Sequence, residues 1–536
     1  MSGIEFFQLG LEVAEGIFQL AQFIANGVAD AVNYGPGFEK IRLAISLEAS
    51  TFSSIKAVLF GGQGGSLSAP SGVFVNFDQQ TQLDIIYVLR QFREALEAHY
   101  RLVARVYNAK SPGLLQVTDA LTPFGSFHST SIVRKLRFGF SDKAKFEQVL
   151  QELEVWNERL FRAVQVKIIQ IEVHNRPSSG SSGRPSAIMD KLQQSNIVDD
   201  VRSLGLASDL QLAQLSLAPP TNSTPTQLEI FNFSAFEEAA VVMRSNTRRL
   251  VQLSDRYALL EYKEFNADER GRPPPSSSAR INQLSRILQK PKSDRYHTLQ
   301  CDGYYCSNGY FVLIFTLPNS MSPSYTTLSD RLQQSAPALE GRFYLARQLC
   351  ATLIQLHTVG WVHKSFRSDN CLFFPSNSSG SVAGSKDFCL SGWEYSRPEL
   401  EFSSRLPEAE DIAQNIYRHP HQWGLPTVKF SKTHDVYSLG VVLLEIGRWK
   451  RAIAFLGSSF SGCVLGPDVK NCLVGAANNA KLRVSMGKRY QAVVLKCLQG
   501  SFEGNMIASS SDNIRSRLSV GEINVETLER EASVAL

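Results

Sequence analysis

The fold class this sequence predicts is multidomain: an all-α helical bundle followed by an α+β region. Three observations carry it. Before residue 170 the apolar residues recur at helical spacing, and no segment alternates convincingly like a strand. Two breaks, RPSSGSSGRPS at 176–186 and APPTNSTPT at 218–226, then interrupt the chain. From about residue 227 the order becomes strand, helix, two strands and then mostly helix. A chain of 536 residues is too long for one core. The expected divisions are a bundle at 1–175, a linker with a helical brace at 176–226, an α+β region at 227–505, and a tail at 506–536.

The first expected helix covers 1–34. Phe6, Phe7, Leu11, Ala14, Phe18, Ala21, Ile24 and Ala25 recur at helical spacing, and Pro36 between two glycines ends the run. Its longest uncharged stretch, 16–29, has 14 residues, short of the roughly 20 that span a bilayer. No Lys or Arg precedes Lys40, so the basic start of a secretory signal is lacking. The chain is expected to be soluble and cytoplasmic, with recruitment to a membrane left open. Two readings of the first helix stand side by side. The preferred one makes it a core helix; the other makes Phe7, Leu11, Phe18 and Ile24 contacts to membrane lipid.

A second helix is expected at 38–59, then a loop, GGQGGSLSAPSG, at 61–72. Long amphipathic helices follow at 83–107 and 141–167, the latter with Ser141 as N-cap and Phe146, Val149, Leu150, Leu153, Trp156, Leu160 and Val164 along one face. Four such helices make a bundle. The segment RKLRFGFSDKAKFEQVLQELEVWNERL at 134–160, with the apolar, glycine-dotted start, resembles fungal HeLo domains of the prion-inhibition and propagation type. That resemblance covers about 170 residues. It implies a bundle whose N-terminal segment perturbs membranes in programmed cell death, and a relation to prion-controlled heterokaryon-incompatibility proteins. The tail 501–536 holds EINVETLERE, read as a last amphipathic helix, and no Gln/Asn-rich or Gly-rich repeat.

In the α+β region, YALLEYKEF at 257–265 reads as a strand carrying Lys263. A helix at 279–290, strands at 297–305 and 309–317, and a helix at 339–357 follow. Then comes WVHKSFRSDNCLFF at 361–374, and SKTHDVYSLGVVLLEIGR at 431–448. These two stretches resemble the catalytic loop and the central large-lobe helix of protein kinases. The resemblance implies a two-lobed kinase-like fold over roughly 230–500, with a small lobe to about 317 and a large lobe from about 325. Bundle, brace and kinase-like region in that order are similar to the mixed-lineage kinase-like necroptosis effectors.

On this template His363 and Asn370 match the loop's His and its metal-holding Asn, while Ser365 stands where the catalytic Asp belongs. A serine hydroxyl takes no proton at neutral pH. Asp369 is four residues from the required place. The metal-binding triad matches Leu390-Ser391-Gly392, which has no carboxylate; a rival alignment on Asp387-Phe388-Cys389 keeps the acid and loses the glycine. No glycine occurs between Gly205 and Gly271, so the phosphate-covering loop is missing. Lys263 matches the strand lysine, but the helix 279–290 offers no acidic partner. Tyr417-Arg418-His419-Pro420 resembles the segment closing the activation region, 490–498 a late helix, and Asp435 the buried Asp that holds the loop backbone.

The expected function is a pseudokinase coupled to the bundle: a cell-death, incompatibility or signalling effector. A non-enzymatic oligomerising scaffold and an atypical active kinase are the alternatives. Lys263 and Asn370 are the nucleotide candidates, Asp435, Arg418 and Gly392 the architectural ones, and ATP with magnesium stays a doubtful cofactor. Partners are expected to be proteins, through the kinase-like region, and a second copy or lipid, through the bundle. The net charge of +5, with 43% hydrophobic and 20% charged residues, calls for no nucleic acid. Eight cysteines, none before residue 301 and none in a C-x-x-C pair, suggest reduced thiols with neither disulfides nor a metal site.

Overall fold

The computed structural model describes residues 3–31, 36–62, 72–107, 140–174, 187–194, 196–217, 236–245, 247–253, 256–307, 309–375, 388–399, 412–424, 428–456 and 465–500. It divides into two compact units, Met1–Ala207 and Ser208–Leu536. The first is helical; the second mixes helices with antiparallel sheets. The linker 176–186, the second break, Asp387 and the tail 501–536 lie outside the described residues.

The first unit is built on α1 (Gly3–Ala31), α2 (Pro36–Phe60), α3 (Gln79–Tyr107) and α4 (Phe140–His174), with α5 (Ala187–Leu192) and α6 (Val198–Ser203) laid on them. α1 packs against α2 and α3, and α4 closes the other side of the same pair. The buried face of α1 carries Phe7, Gly10, Ala14, Ile17, Ala21 and Ile24. Leu11 and Phe18 sit half-buried on its flank, where Lys56 lies 4.5 Å over the Phe18 ring and pairs with Glu15 at 2.7 Å. Gly10 explains the offset from the expected stripe: it fits where a Cβ would come 3.0 Å from the Phe60 ring. Phe7 meets Phe60 and Phe74 at 5.5 and 6.3 Å, and Phe92 bridges Phe52 and Trp156 at 5.4 and 6.0 Å.

Helix starts differ from expectation for local reasons. α3 begins four residues early because Asp78 accepts the N–H and hydroxyl of Thr81 at 3.0 and 2.6 Å. Those bonds, the hydroxyl's first, hold the Asp78 carboxyl below its ordinary range. α4 starts at Phe140, which puts Ser141 inside its first turn rather than at the cap. Among the described residues one helix, Glu39–Phe60, is long and apolar enough to cross a membrane, and 44% of its apolar window is buried. The uncharged run 16–29 lies within α1, where the first helix was expected.

α7 (Leu206–Leu217) carries the unit boundary, and its buried Asp209 accepts the Tyr296 hydroxyl at 2.8 Å within the second unit. A five-stranded antiparallel sheet follows in the order β1-β2-β3-β5-β4: β1 (Ala240–Arg244), β2 (Arg248–Gln252), β3 (Tyr257–Glu264), β4 (Gln300–Ser307) and β5 (Tyr310–Thr316). The central strands β3 and β5 are the apolar ones, which two covered faces require. α8 (Pro275–Gln289) packs on β4. It starts four residues before the expected 279, since proline is tolerated at the first helical position. β4 starts at Gln300 because His297 adopts a left-handed φ of 43° and ends a short turn.

The rest is mainly helical: α9 (Leu328–Arg331), α10 (Leu339–Thr358), α11 (Ile412–Asn415), α12 (Lys432–Arg448), α13 (Gly466–Asn478) and α14 (Ala480–Gln499). Short strands thread it: β6 (Thr326–Thr327), β7 (Trp361–Val362), β8 (Cys371–Phe373), β9 (Phe388–Leu390) and β10 (Arg397–Pro398), paired as β6-β8-β9 and β10-β7. α12 is the core element. It is buried from Val436 to Gly447 and packs against α10 and α14.

Candidate functional site

The His363–Asn370 loop leaves β7 and turns sharply, with Lys364 at φ 67°. Asp435, in the first turn of α12, anchors it. Its carboxylate accepts the backbone N–H of His363 at 2.7 Å and of Lys364 at 2.9 Å, and lies 3.3 Å from His357 Nε2. Burial pushes this carboxyl up, but the His357 ring first and then the His363 N–H outweigh it, leaving the group below its ordinary value. His363 is fully buried against Trp393, ring centroids 4.8 Å apart, and burial drives it down to about 4. It is a neutral packing group at physiological pH.

Ser365 and Asn370 are tied to each other. Asn370 Nδ2 donates to the Ser365 carbonyl at 2.7 Å and to its hydroxyl at 2.9 Å. Among the described residues Ser365 bonds only to Asn370 and, through its N–H, to His363 Nδ1. Among the described residues no carboxylate reaches its hydroxyl to accept a proton.

Two side chains that the sequence reading did not single out fill the space in front. Arg248, the first residue of β2, sends its guanidinium onto Asn370 Oδ1 at 2.5 Å and onto the Asp369 carbonyl at 3.0 Å through both terminal nitrogens. It is only 5% exposed. This guanidinium takes one of the two acceptor directions of Asn370 Oδ1, and its charge disfavours a divalent cation there. Glu261 on β3, fully enclosed, accepts the N–H groups of Gly392 and Trp393 at 3.0 Å each. Burial first, then the neighbouring Glu394, raises its carboxyl. Beneath them Leu259, Leu299, Phe315, Leu372, Leu390 and Trp393 close on a space too small for a water molecule.

Lys263, two residues after Glu261 and so on the same face of β3, lies 5.6 Å from the Tyr395 ring centre. Burial lowers it to about 8, against the pull of Glu394. Glu394 in the 393–395 turn is the acidic group whose charge acts on it. Leu390, Ser391 and Gly392 run alongside the loop, with Ser391 N–H on the Asn370 carbonyl at 2.9 Å. Of the rival triad, Phe388 and Cys389 are buried in β9. Arg418 is half-buried, and its carbonyl accepts Trp423 Nε1 at 3.0 Å. The structure therefore brings Lys263, His363, Ser365, Asn370, Gly392 and Asp435 into one region, closed by Arg248 and Glu261. The period-two spacing of Glu261 and Lys263 was the only sequence sign of this closure.

Gly392 is the tightest point. Its φ is 85°, and a Cβ there would come 2.1 Å from Asn370 Nδ2. Gly392→Ala is expected to cost at least about 2 kcal/mol, from left-handed strain plus displacement of Asn370. Chemical denaturation measures it. A cost near zero would show that the Asn370 side chain is not held as described.

No protein-family model matches this chain, and none of the curated proteins matches it.

Proposed function

We propose that this chain is a pseudokinase-type regulator: a kinase-like module without phosphoryl-transfer chemistry, joined to a HeLo-like bundle, acting by protein contacts in a signalling or cell-death response. The observation that carries this reading is the Arg248–Asn370–Ser365 chain of hydrogen bonds. Phosphoryl transfer needs an acid to orient the nucleophile and oxygen ligands for metal; here a serine holds the first place and a guanidinium covers the second. The fit of Asp435 under the loop supports a kinase-like architecture kept for its shape. Protein partners bind this module, and the bundle supplies the output.

For that output, α1 uses Phe7 and Ile24 internally, so contact with lipid requires α1 to leave the bundle. The scaffold alternative draws on Leu43 and Leu47 of α2, 56% and 66% exposed and one turn apart, a pair suited to meeting a second copy.

The test is thermal unfolding of the full chain with and without ATP and magnesium. A ligand that binds only the folded state raises the midpoint. The expected result is no rise for the natural chain. A reproducible rise above about 2 °C, lost in Asn370→Ala, would overturn the reading.

A further inference from the structure

Three histidines meet at the N-terminal end of α12, away from the closed loop region. His419 and His421 flank Pro420 in a short 3-10 turn, and His434 lies in the first turn of α12. One ring nitrogen from each falls within 4.8 Å of the other two. The ring centroids are 4.4 Å apart for 419–421, 5.1 Å for 419–434 and 6.3 Å for 421–434, with the rings at 71–75° to one another. Three imidazoles around a tetrahedral ion, with metal–nitrogen bonds of about 2.0–2.1 Å, place their centroids about 5 Å apart. The centroid separations lie on either side of that value, and the nitrogens, within 4.8 Å of one another, close to about 3.3 Å on loading.

The geometry points to a three-histidine site for a divalent transition-metal ion of the zinc class, held by His419, His421 and His434 with one coordination position left to solvent. The type of donor is right, since imidazole nitrogens suit zinc, copper and nickel over calcium or magnesium. The second observation is the rigidity of the frame. The 418–424 turn is held by Trp423 Nε1 on the Arg418 carbonyl at 3.0 Å and by Gln422 on the Val428 carbonyl at 2.9 Å. Tyr437 and Phe430 wall the rings at 5.1 and 5.0 Å. His434 is 4% exposed, while His421 is open, which gives an entry path.

Three features work against loading and sharpen the test, the first being that His419 Nδ1 already accepts the His421 N–H at 3.3 Å. His434 Nδ1 accepts the Ser431 N–H at 2.8 Å, closing a capping box, so its proton sits on Nε2. Binding through Nε2 shifts that proton to Nδ1, where the Ser431 hydroxyl, 3.1 Å away, accepts it. The exchange gives up one cap bond. Lys470, which lies over the Tyr437 ring at 6.0 Å and acts on His419 as a like charge, repels an incoming cation.

The experiment titrates chelator-stripped full chain with Zn2+ against a chromophoric competitor, and with Co2+ read by its visible absorption. The expected result is one tight ion per chain with a tetrahedral Co2+ spectrum. His421→Ala, at an exposed position that leaves folding intact, should weaken binding at least about a hundredfold. Lys470→Gln should tighten it several-fold. Zinc binding equal in the natural chain and His421→Ala, or a Co2+ spectrum like that of the free aqueous ion, would overturn the assignment.

Discussion

Replacing Asp435 by alanine is expected to destabilise the second unit by on the order of 3–5 kcal/mol. The side chain has no exposed surface. Its removal strands the buried N–H groups of His363 and Lys364, each an unpaired donor costing about 1–3 kcal/mol. It also frees Lys364 from a left-handed conformation that costs a side-chain-bearing residue about 1–2 kcal/mol to hold. Asp435→Asn keeps one accepting oxygen and should lose about half as much. Urea unfolding followed by tryptophan fluorescence reads the effect, because four of the five tryptophans (361, 393, 423 and 449) lie in this unit. A loss below about 1 kcal/mol for the alanine variant would mean that the loop holds its shape without Asp435.

The elements legible in the sequence are those whose signal is local. α10 falls within a residue of its expected bounds because its helical periodicity is written in neighbouring residues, and α12 does so on the resemblance of 431–448 to a kinase helix. The strand at 257–265 was legible from its alternation, and 309–317 as a strand-like run. The β1–β2 hairpin was not: β1 is an edge strand with Ala240, Val241 and Val242 all exposed, so it shows no alternation, and its turn contains no glycine. β6 to β10 have two or three residues each and exist only through pairing. Within the candidate site, His363, Ser365 and Asn370 could be named from the resemblance of 361–374 to a kinase loop. What occupies the space before them could not, since Arg248 reaches Asn370 across 122 residues and Glu261 reaches Trp393 across 132. Nothing near Arg248 in the chain distinguishes it from its neighbour Arg249.

Glu445 should make the second unit lose stability as pH rises. This α12 carboxyl has no exposed surface and accepts the Tyr417 hydroxyl at 2.8 Å and the Ala452 N–H at 2.7 Å. Burial pushes it up to about 8; the bonds from Ala452, Tyr417 and Ser368 pull it down but do not prevail. Its folded value therefore lies above its unfolded one, about 4.5. Between those pH values the folded chain binds a proton that the unfolded chain does not. The resulting stabilisation is complete below about pH 4.5 and is lost as pH rises through about 8. At about 1.4 kcal/mol per unit, the window is worth on the order of 3–5 kcal/mol. Other groups act in the opposite sense: His363, lowered to about 4, adds stability as pH rises toward 6.5, and Lys364, lowered to about 7, does so above neutrality. The natural chain alone thus mixes slopes, while the difference between it and Glu445→Gln isolates one carboxyl. Glutamine keeps an oxygen for Tyr417 and Ala452 and does not titrate. Relative to that variant, the natural chain should become less stable by about 1.4 kcal/mol per pH unit from pH 5 to 8. Parallel stability curves would show that Glu445 is already ionised in the folded chain, and would place a buried anion, rather than a carboxylic acid, at the centre of α12.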